Sequence, residues 1–231
     1  MTGPRALLLD LDNTLYDFEA AYARGLRRID QLACADGCDG ARASRLYRRF
    51  RDQQPPAQAD SGRRSRQLRM EELIAALPQL RHSANAAVWA AEFEAALLED
   101  LQPVPGVAAA LALLRQRMPL LVVTEGWHDN QTRVLEKLGF AGLGLQLLAS
   151  YSCKVAKRDG SAYQLALEWL GTPAASTIMV GDHWDWDVLA AARLGMPTIW
   201  ISQRSPCART PPGFIGTAAS VAEVPALLEQ A

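Results

Sequence analysis

Two carboxylates one residue apart, Asp10 and Asp12, follow the apolar run Ala6 to Leu9 in "RALLLDLDNTLYD". The run reads as a short buried strand. Aspartate is depleted in strands and costly to bury unless paired or metal-bound. Two other apolar runs also give way to polar residues. "PLLVVTEG" closes on Thr124, Glu125 and Gly126, and "STIMVGD" leads into "GDHWDWD", which carries Asp182, Asp185 and Asp187. In open α/β sheets, ligands bind beyond the carboxyl ends of the strands, so Asp10, Asp12, Thr124, Asp182, Asp185 and Asp187 are candidates for one site. Several carboxylates in one crevice repel each other, and a hard cation with oxygen ligands resolves that repulsion. Mg²⁺ fits best, because it accepts few protein carboxylates and keeps waters and substrate phosphate as its other ligands.

The elements that position these groups follow from periodicity. From Phe18 to about Asp100 the spacing is helical and no strand is evident, in "AAYARGLRRIDQLA", "ARASRLYRRFRDQ", "SRQLRMEELIAALPQL" and "NAAVWAAEFEAALLEDL". "QQPPAQADSG" interrupts this region as a loop. "QPVPGV" marks a second boundary, with prolines suited to a stiff hinge strand and Gly106 ahead of a new helix. Beyond it strands and helices alternate. "VAAALALLRQR" predicts a helix, and "PLLVVTEG" a strand. "NQTRVLEKLGF" predicts a helix capped by Asp129 or Asn130 and closed by Gly139. "LGLQLLAS" predicts a strand, "SAYQLALEWLG" a helix capped by Ser161, and "STIMVGD" a strand. "WDVLAAARLGM" predicts a helix closed by Gly195, and "PTIWIS" a last strand. The expected fold is therefore α/β: a doubly wound, parallel-sheet (Rossmann-like) core of residues 1–16 and 104–231, interrupted by an α-helical insert of residues 17–103.

The chain has 231 residues, enough for one large domain or a core with a smaller lobe. A formal net charge of -1 gives no field that argues for nucleic acid or membrane. No apolar run is long enough to span a bilayer, and the first residues lack a basic-then-apolar signal pattern, so the expected compartment is the cytoplasm. Cys34, Cys38, Cys153 and Cys207 do not complete a zinc site with His82, His128 or His183, and they read as structural or incidental thiols. Nine arginines between Arg42 and Arg69 read as a solvated helix face rather than an anion-recruiting one. Asp185 reads as a helix cap or a solvent-facing residue. Trp184 and Trp186 read as packing, and His183 lines the site at most.

The order Asp10-Leu-Asp12-Asn13-Thr14-Leu15, then Thr124, then Lys157, then Gly181-Asp182 and Asp187 resembles the haloacid dehalogenase-like hydrolase superfamily. The resemblance spans nearly the whole chain, and its helical insert is similar to that family's cap domain. It implies that Asp10 is the nucleophile, attacking phosphorus to give an aspartyl-phosphate, and that Asp12 is the general acid and base. It implies Mg²⁺ held by the side chains of Asp10 and Asp182 and the backbone carbonyl of Asp12, with Asp187 supporting the metal or pairing with the lysine. Thr124, with the nearby backbone of Glu125 and Gly126, would bind phosphoryl oxygens together with Lys157.

Three lysines are present, Lys137, Lys154 and Lys157. "KRDGSAY" from Lys157 fits the family spacing into the following helix, and Lys154 is the fallback. Two positions depart from the family pattern. Family members often have Asn where Glu125 stands, and a carboxylate pointing inward would repel phosphate. Glu125 is therefore expected to face the insert or the leaving group. The family's proline after the lysine is Arg158 here, which predicts a less rigid loop.

The expected activity is Mg²⁺-dependent hydrolysis of a small phosphorylated metabolite, such as a sugar phosphate, phosphoglycolate or a nucleoside monophosphate. "DLDNTLY" resembles some nucleotidase members of the family. A phosphosugar mutase would share Asp10 and Asp12. A haloacid dehalogenase would need neither Mg²⁺ nor an acid at Asp12. A silent regulatory relative would have lost catalysis. A Schiff-base phosphonate hydrolase is excluded, because Asp17 to Asp100 contains no lysine.

Overall fold

The computed structural model describes residues 5–53, 59–204 and 209–230. The chain forms two compact units, Met1–Asp17 with Gln102–Ala231, and Phe18–Leu101. In chain order, β1 (Ala6–Leu9) is followed by the four helices of the second unit, α1 (Phe18–Ala35), α2 (Gly40–Gln53), α3 (Gly62–Ala76) and α4 (Ala86–Leu98). The first unit resumes with α5 (Val107–Arg117), β2 (Leu120–Thr124), α6 (His128–Lys137), β3 (Gln146–Ala149), α7 (Ser150–Cys153) and α8 (Ser161–Leu170). It ends with β4 (Thr177–Gly181), a π-helical stretch (Trp184–Leu189), α9 (Ala190–Arg193), β5 (Thr198–Ile201), β6 (Phe214–Ala218) and α10 (Val224–Gln230).

The helical unit packs α1 against α2 and α4, and α3 against α4. Its core holds Tyr22, Leu26, Ile29, Tyr47, Met70, Leu73, Trp89 and Phe93. Gly25 is needed on α1, because a Cβ there would strike the Phe93 ring. The arginines are more than a solvated face. Arg66 is buried and paired with Glu94 at 2.6 Å, Arg51 stacks over Tyr22 at 4.3 Å, and Arg69 lies over Tyr47 at 5.7 Å. The helix expected through Leu80 ends at Ala76, because the residue before Pro78 is pushed into extended backbone. Residues 54–58 of the expected loop lie outside the described residues, as does Cys207.

The first unit is a six-stranded parallel sheet in the order β3-β2-β1-β4-β5-β6, the doubly wound arrangement expected. β1, β2 and β4 are buried at every residue, and this is why they read as unbroken apolar runs rather than as alternating ones. Leu9 pairs with Val122 on one side and Val180 on the other. Asp10, Thr124 and Asp182 therefore stand together at the carboxyl ends of three adjacent strands. The strand order reverses between β1 and β4, where the two halves of the sheet diverge and leave a crevice.

Four expectations need correction. β5 is not the last strand. β6 follows it at the sheet edge, half-buried, without alternation and with Gly216 in its middle, so it left no periodic signal. The helix after β4 starts as a wide π-turn. α6 begins after Trp127, before the predicted caps, because the His128 N–H is bonded by Ser152 Oγ at 2.9 Å from the segment after β3. Gly160, at φ 85°, precedes α8, while Ser161 turns its hydroxyl back to accept the Ala156 N–H at 3.0 Å. Among the described residues, no helix is long and apolar enough to cross a membrane.

Candidate active site

Asp10 extends the β1 ladder by donating its N–H to Val180 O at 2.9 Å. Its carboxylate is buried and bonded on both oxygens. Lys157 Nζ pairs with Oδ1, and Thr14 Oγ1 donates to Oδ2 at 3.0 Å. Thr14 reaches back because the chain turns sharply after the strand, with Leu15 N–H donating to Leu11 O and Asn13 in the left-handed region at φ 59°. This same turn carries Asp12 past the carboxyl end of β1. There its Oδ1 accepts the Tyr16 hydroxyl at 2.7 Å.

Lys157 enters from the loop before α8. It is only 2% exposed and also pairs with Asp187 Oδ1 at 2.8 Å. Lys154 is exposed and ends α7 in the left-handed region at φ 56°, so Lys157 is the lysine brought to Asp10. Asp187 is held on three sides. Besides Lys157, the His183 N–H donates at 2.9 Å, and the Tyr163 hydroxyl, which donates to the Trp186 carbonyl at 2.7 Å, lies 3.3 Å from Asp187 Oδ1. Gly181 makes this possible, because a Cβ there would collide with the Asp187 carboxylate. Asp182 is held through its carbonyl, which accepts the Trp200 indole N–H at 2.8 Å. Trp200 in turn packs against Trp184 at 4.9 Å, so the tryptophans do pack as expected. Asp185 is exposed and His183 stacks on Trp186.

Carboxylate oxygens of Asp10, Asp182 and Asp187 lie within 4.8 Å of one another. One buried ammonium cannot neutralise three carboxylates. Burial pushes the Asp10 carboxyl well above the usual range; Lys157 opposes the shift, while Asp187, Asp12 and Asp182 add to it. Burial and the charge of Asp187 push Asp182 up to about 6. Burial alone would lower the Lys157 pKa, but Asp10 and Asp187 outweigh it and hold the ammonium charged. A set of hard oxygen donors with excess negative charge fits a hard divalent cation.

Thr124 is buried at the end of β2, where its Oγ1 accepts Gln131 Nε2 at 3.3 Å. Gly126 leaves room for that same Gln131 side chain, which a Cβ would strike. Glu125 does not point its carboxylate as expected. Its Oε1 accepts the backbone N–H of Lys157 at 3.1 Å. No role was assigned from sequence to Tyr16, Tyr163 or Gln131, nor to Thr14, which stands in the motif after β1. Thr14 and Tyr16 each lie four residues beyond the aspartate they bond, a spacing that a turn after β1 could have suggested. Tyr163 and Gln131 reach the site only through the tertiary fold.

Comparison with known proteins places these residues in a wider context. Residues 4–195 match the model of a family described as haloacid dehalogenase-like hydrolase. The chain is 31% identical over 108 residues to the pyrimidine 5'-nucleotidase YjjG of Escherichia coli (strain K12), covering 46% of this chain and 48% of that protein. The match thus spans about half the length of that curated relative. Among solved structures, it resembles a 2-haloacid dehalogenase from Pseudomonas syringae pv. Tomato DC3000, with a TM-score of 0.75 and 20% identity over 98% of this chain and 99% of that one. It also resembles a β-phosphoglucomutase-like protein from Thermotoga maritima, with a TM-score of 0.68 and 19% identity over the same shares of the two chains. At these identities the two solved structures establish the fold alone.

Proposed function

The chain belongs to the haloacid dehalogenase-like hydrolases, and from that premise we propose that it hydrolyses a small phosphomonoester through an aspartyl-phosphate on Asp10. The observation that carries this reading is the second carboxylate. Asp12 stands beside Asp10 and is oriented by Tyr16, where phosphoryl transfer needs an acid and carbon–halogen cleavage does not. The cluster of Asp10, Asp182 and Asp187 supports the same reading. The relationship to a pyrimidine 5'-nucleotidase favours phosphomonoesters and leaves nucleoside monophosphates among the candidate substrates.

In this mechanism Thr124, the Gly126 backbone and Lys157 bind the phosphoryl oxygens. An Asp10 oxygen forms a bond to phosphorus as the ester P–O bond breaks, and Asp12 gives its proton to the departing alkoxide. Asp12 then takes a proton from water. The water oxygen bonds to phosphorus, and Asp10 leaves as a free carboxylate with inorganic phosphate released. Asp10 and Asp182, with the Asp12 backbone carbonyl, would hold Mg²⁺, and Asp187 would steady Lys157 beside it. When bound, the metal supplies positive charge that offsets repulsion between the Asp10 carboxylate and the phosphate dianion.

The helical unit is proposed to be a cap that selects the substrate. The chain leaves for it after Asp17 and returns at Gln102, and Tyr16 bridges to Pro103 next to Asp12. Such a lobe can exclude water during reaction and reopen for release. The proposed partner is a small phosphorylated metabolite rather than nucleic acid or membrane, in keeping with the near-zero net charge.

A panel of phosphorylated metabolites and p-nitrophenyl phosphate, assayed with Mg²⁺ and with EDTA, tests the proposal. 2-Haloacids are assayed in parallel for halide release. Phosphate release that needs Mg²⁺ and disappears in Asp10→Asn is expected. Halide release that persists in EDTA would make the chain a dehalogenase. Isomerisation of a sugar phosphate without net phosphate release would make it a mutase.

A further inference from the structure

Glu125 directly follows Thr124 at the end of β2, and its Oε1 accepts the Lys157 N–H at 3.1 Å. The Lys157 side chain meets Asp10 and Asp187. One carboxylate therefore ties the strand end carrying Thr124 to the main chain of the residue whose ammonium holds Asp10. That loop lacks a proline, since Arg158 follows Lys157, so no ring fixes its backbone. Hydrogen bonds hold it instead. The Ala156 N–H is bonded by Ser161 Oγ at 3.0 Å, the Lys157 carbonyl by the Gly160 N–H at 3.0 Å, and the Arg158 carbonyl by Arg193 at 3.0 Å. Of these, the Glu125 bond is the one made to the Lys157 N–H and the one that reaches the Thr124 strand. A carboxylate acceptor makes it charge-assisted and stronger than a neutral bond.

We propose that Glu125 is a positioning residue that fixes the Lys157 main chain, so that the ammonium is presented to Asp10 and to bound phosphate. This rests on the reading of the site as a phosphomonoester hydrolase. The Glu125 side chain acts on the reaction only through Lys157, so its loss affects every substrate alike. A residue that recognised the leaving group would affect its preferred substrate alone.

Three variants separate the roles. Glu125→Gln keeps an oxygen at the same reach. Glu125→Asp keeps the charge and withdraws it by one methylene. Glu125→Ala removes both. Two readouts are taken on each variant: hydrogen exchange of the Lys157 amide, which needs no catalysis, and kcat and KM on p-nitrophenyl phosphate and the metabolite panel. Glu125→Gln is expected to keep the amide protected and to hold kcat/KM within about threefold of wild type. Glu125→Ala and Glu125→Asp should expose the amide and lower kcat/KM by about ten- to a hundredfold on all substrates alike. Should Glu125→Ala not fold, Glu125→Asp decides the matter. Unchanged amide exchange in the shortened variants, loss confined to one substrate, or a Gln variant as impaired as Asp would each overturn the proposal. If the wild-type protein releases no phosphate, the exchange data still decide the positioning role, and the functional reading alone fails.

Discussion

The Tyr16 hydroxyl donates to Asp12 Oδ1 at 2.7 Å, from a residue that is 1% exposed. Burial, together with the neighbouring Asp12 charge, holds the phenol well above its usual pKa, so Tyr16 stays a donor at neutral pH. The bond fixes the carboxyl that the proposed mechanism uses as acid and base. Tyr16→Phe keeps the ring and removes the donor. It should lower kcat by about tenfold and leave KM within about twofold, because orientation is lost while binding is not. Steady-state phosphate release measures both, and an unchanged kcat would show that Asp12 is oriented without Tyr16.

Lys157 and Lys154 are three residues apart, yet only Lys157 is buried against carboxylates. Lys157→Met strands Asp10 and Asp187 without their cation. Breaking a buried pair in this way costs about 3–5 kcal/mol, and activity should fall by at least about a hundredfold. Lys154→Met sits in solvent and should change stability by no more than about 0.5 kcal/mol. Thermal melts and phosphate-release assays on the two variants check this, and equal effects at both positions would remove Lys157 from its assigned place.

The sheet was legible because β1, β2 and β4 are buried on both faces and each gives way to a polar residue that apolar packing alone would not select. The helices of residues 18–98 were legible from their spacing, with Pro78 missed as a stop. β6 was not legible, because a half-buried edge strand carrying Gly216 has no alternation to read. The π-turn at Trp184–Leu189 was not legible either, since it accompanies Asp187 turning toward Lys157 and the His183 N–H, contacts made only in the folded chain. The candidate aspartates could be named from the sequence. The groups that hold them, Tyr163 on Asp187 and Gln131 on Thr124, come from other elements and leave no local signature. Glu125 was expected to face the insert or the leaving group. The Lys157 N–H that it accepts is 32 residues along the chain and could not be inferred from the spacing.

Asp182 links the site to stability. Its carboxyl, pushed up to about 6 by burial and by Asp187, binds a proton more tightly in the folded chain than in the unfolded one. Ionisation therefore penalises the fold. The penalty is absent below the ordinary carboxyl range, sets in as pH rises toward 6, and is complete above it. In EDTA, Asp182→Asn should raise Tm by a few degrees above neutral pH and by less at about pH 5. The same substitution should abolish Mg²⁺-dependent turnover. Calorimetry at the two pH values checks the first part, and a stability gain that is the same at both would refute the electrostatic cause.

The central claim is that phosphorus passes through a covalent bond to Asp10. Two successive in-line displacements return phosphorus to its starting configuration, whereas direct attack by water inverts it. The most direct test is hydrolysis of a phosphorothioate monoester made chiral at phosphorus with two oxygen isotopes, in water that carries the third, followed by determination of the configuration of the released thiophosphate. The account predicts overall retention. Inversion would contradict it and would reduce Asp10 to a residue that binds the site without attacking the substrate.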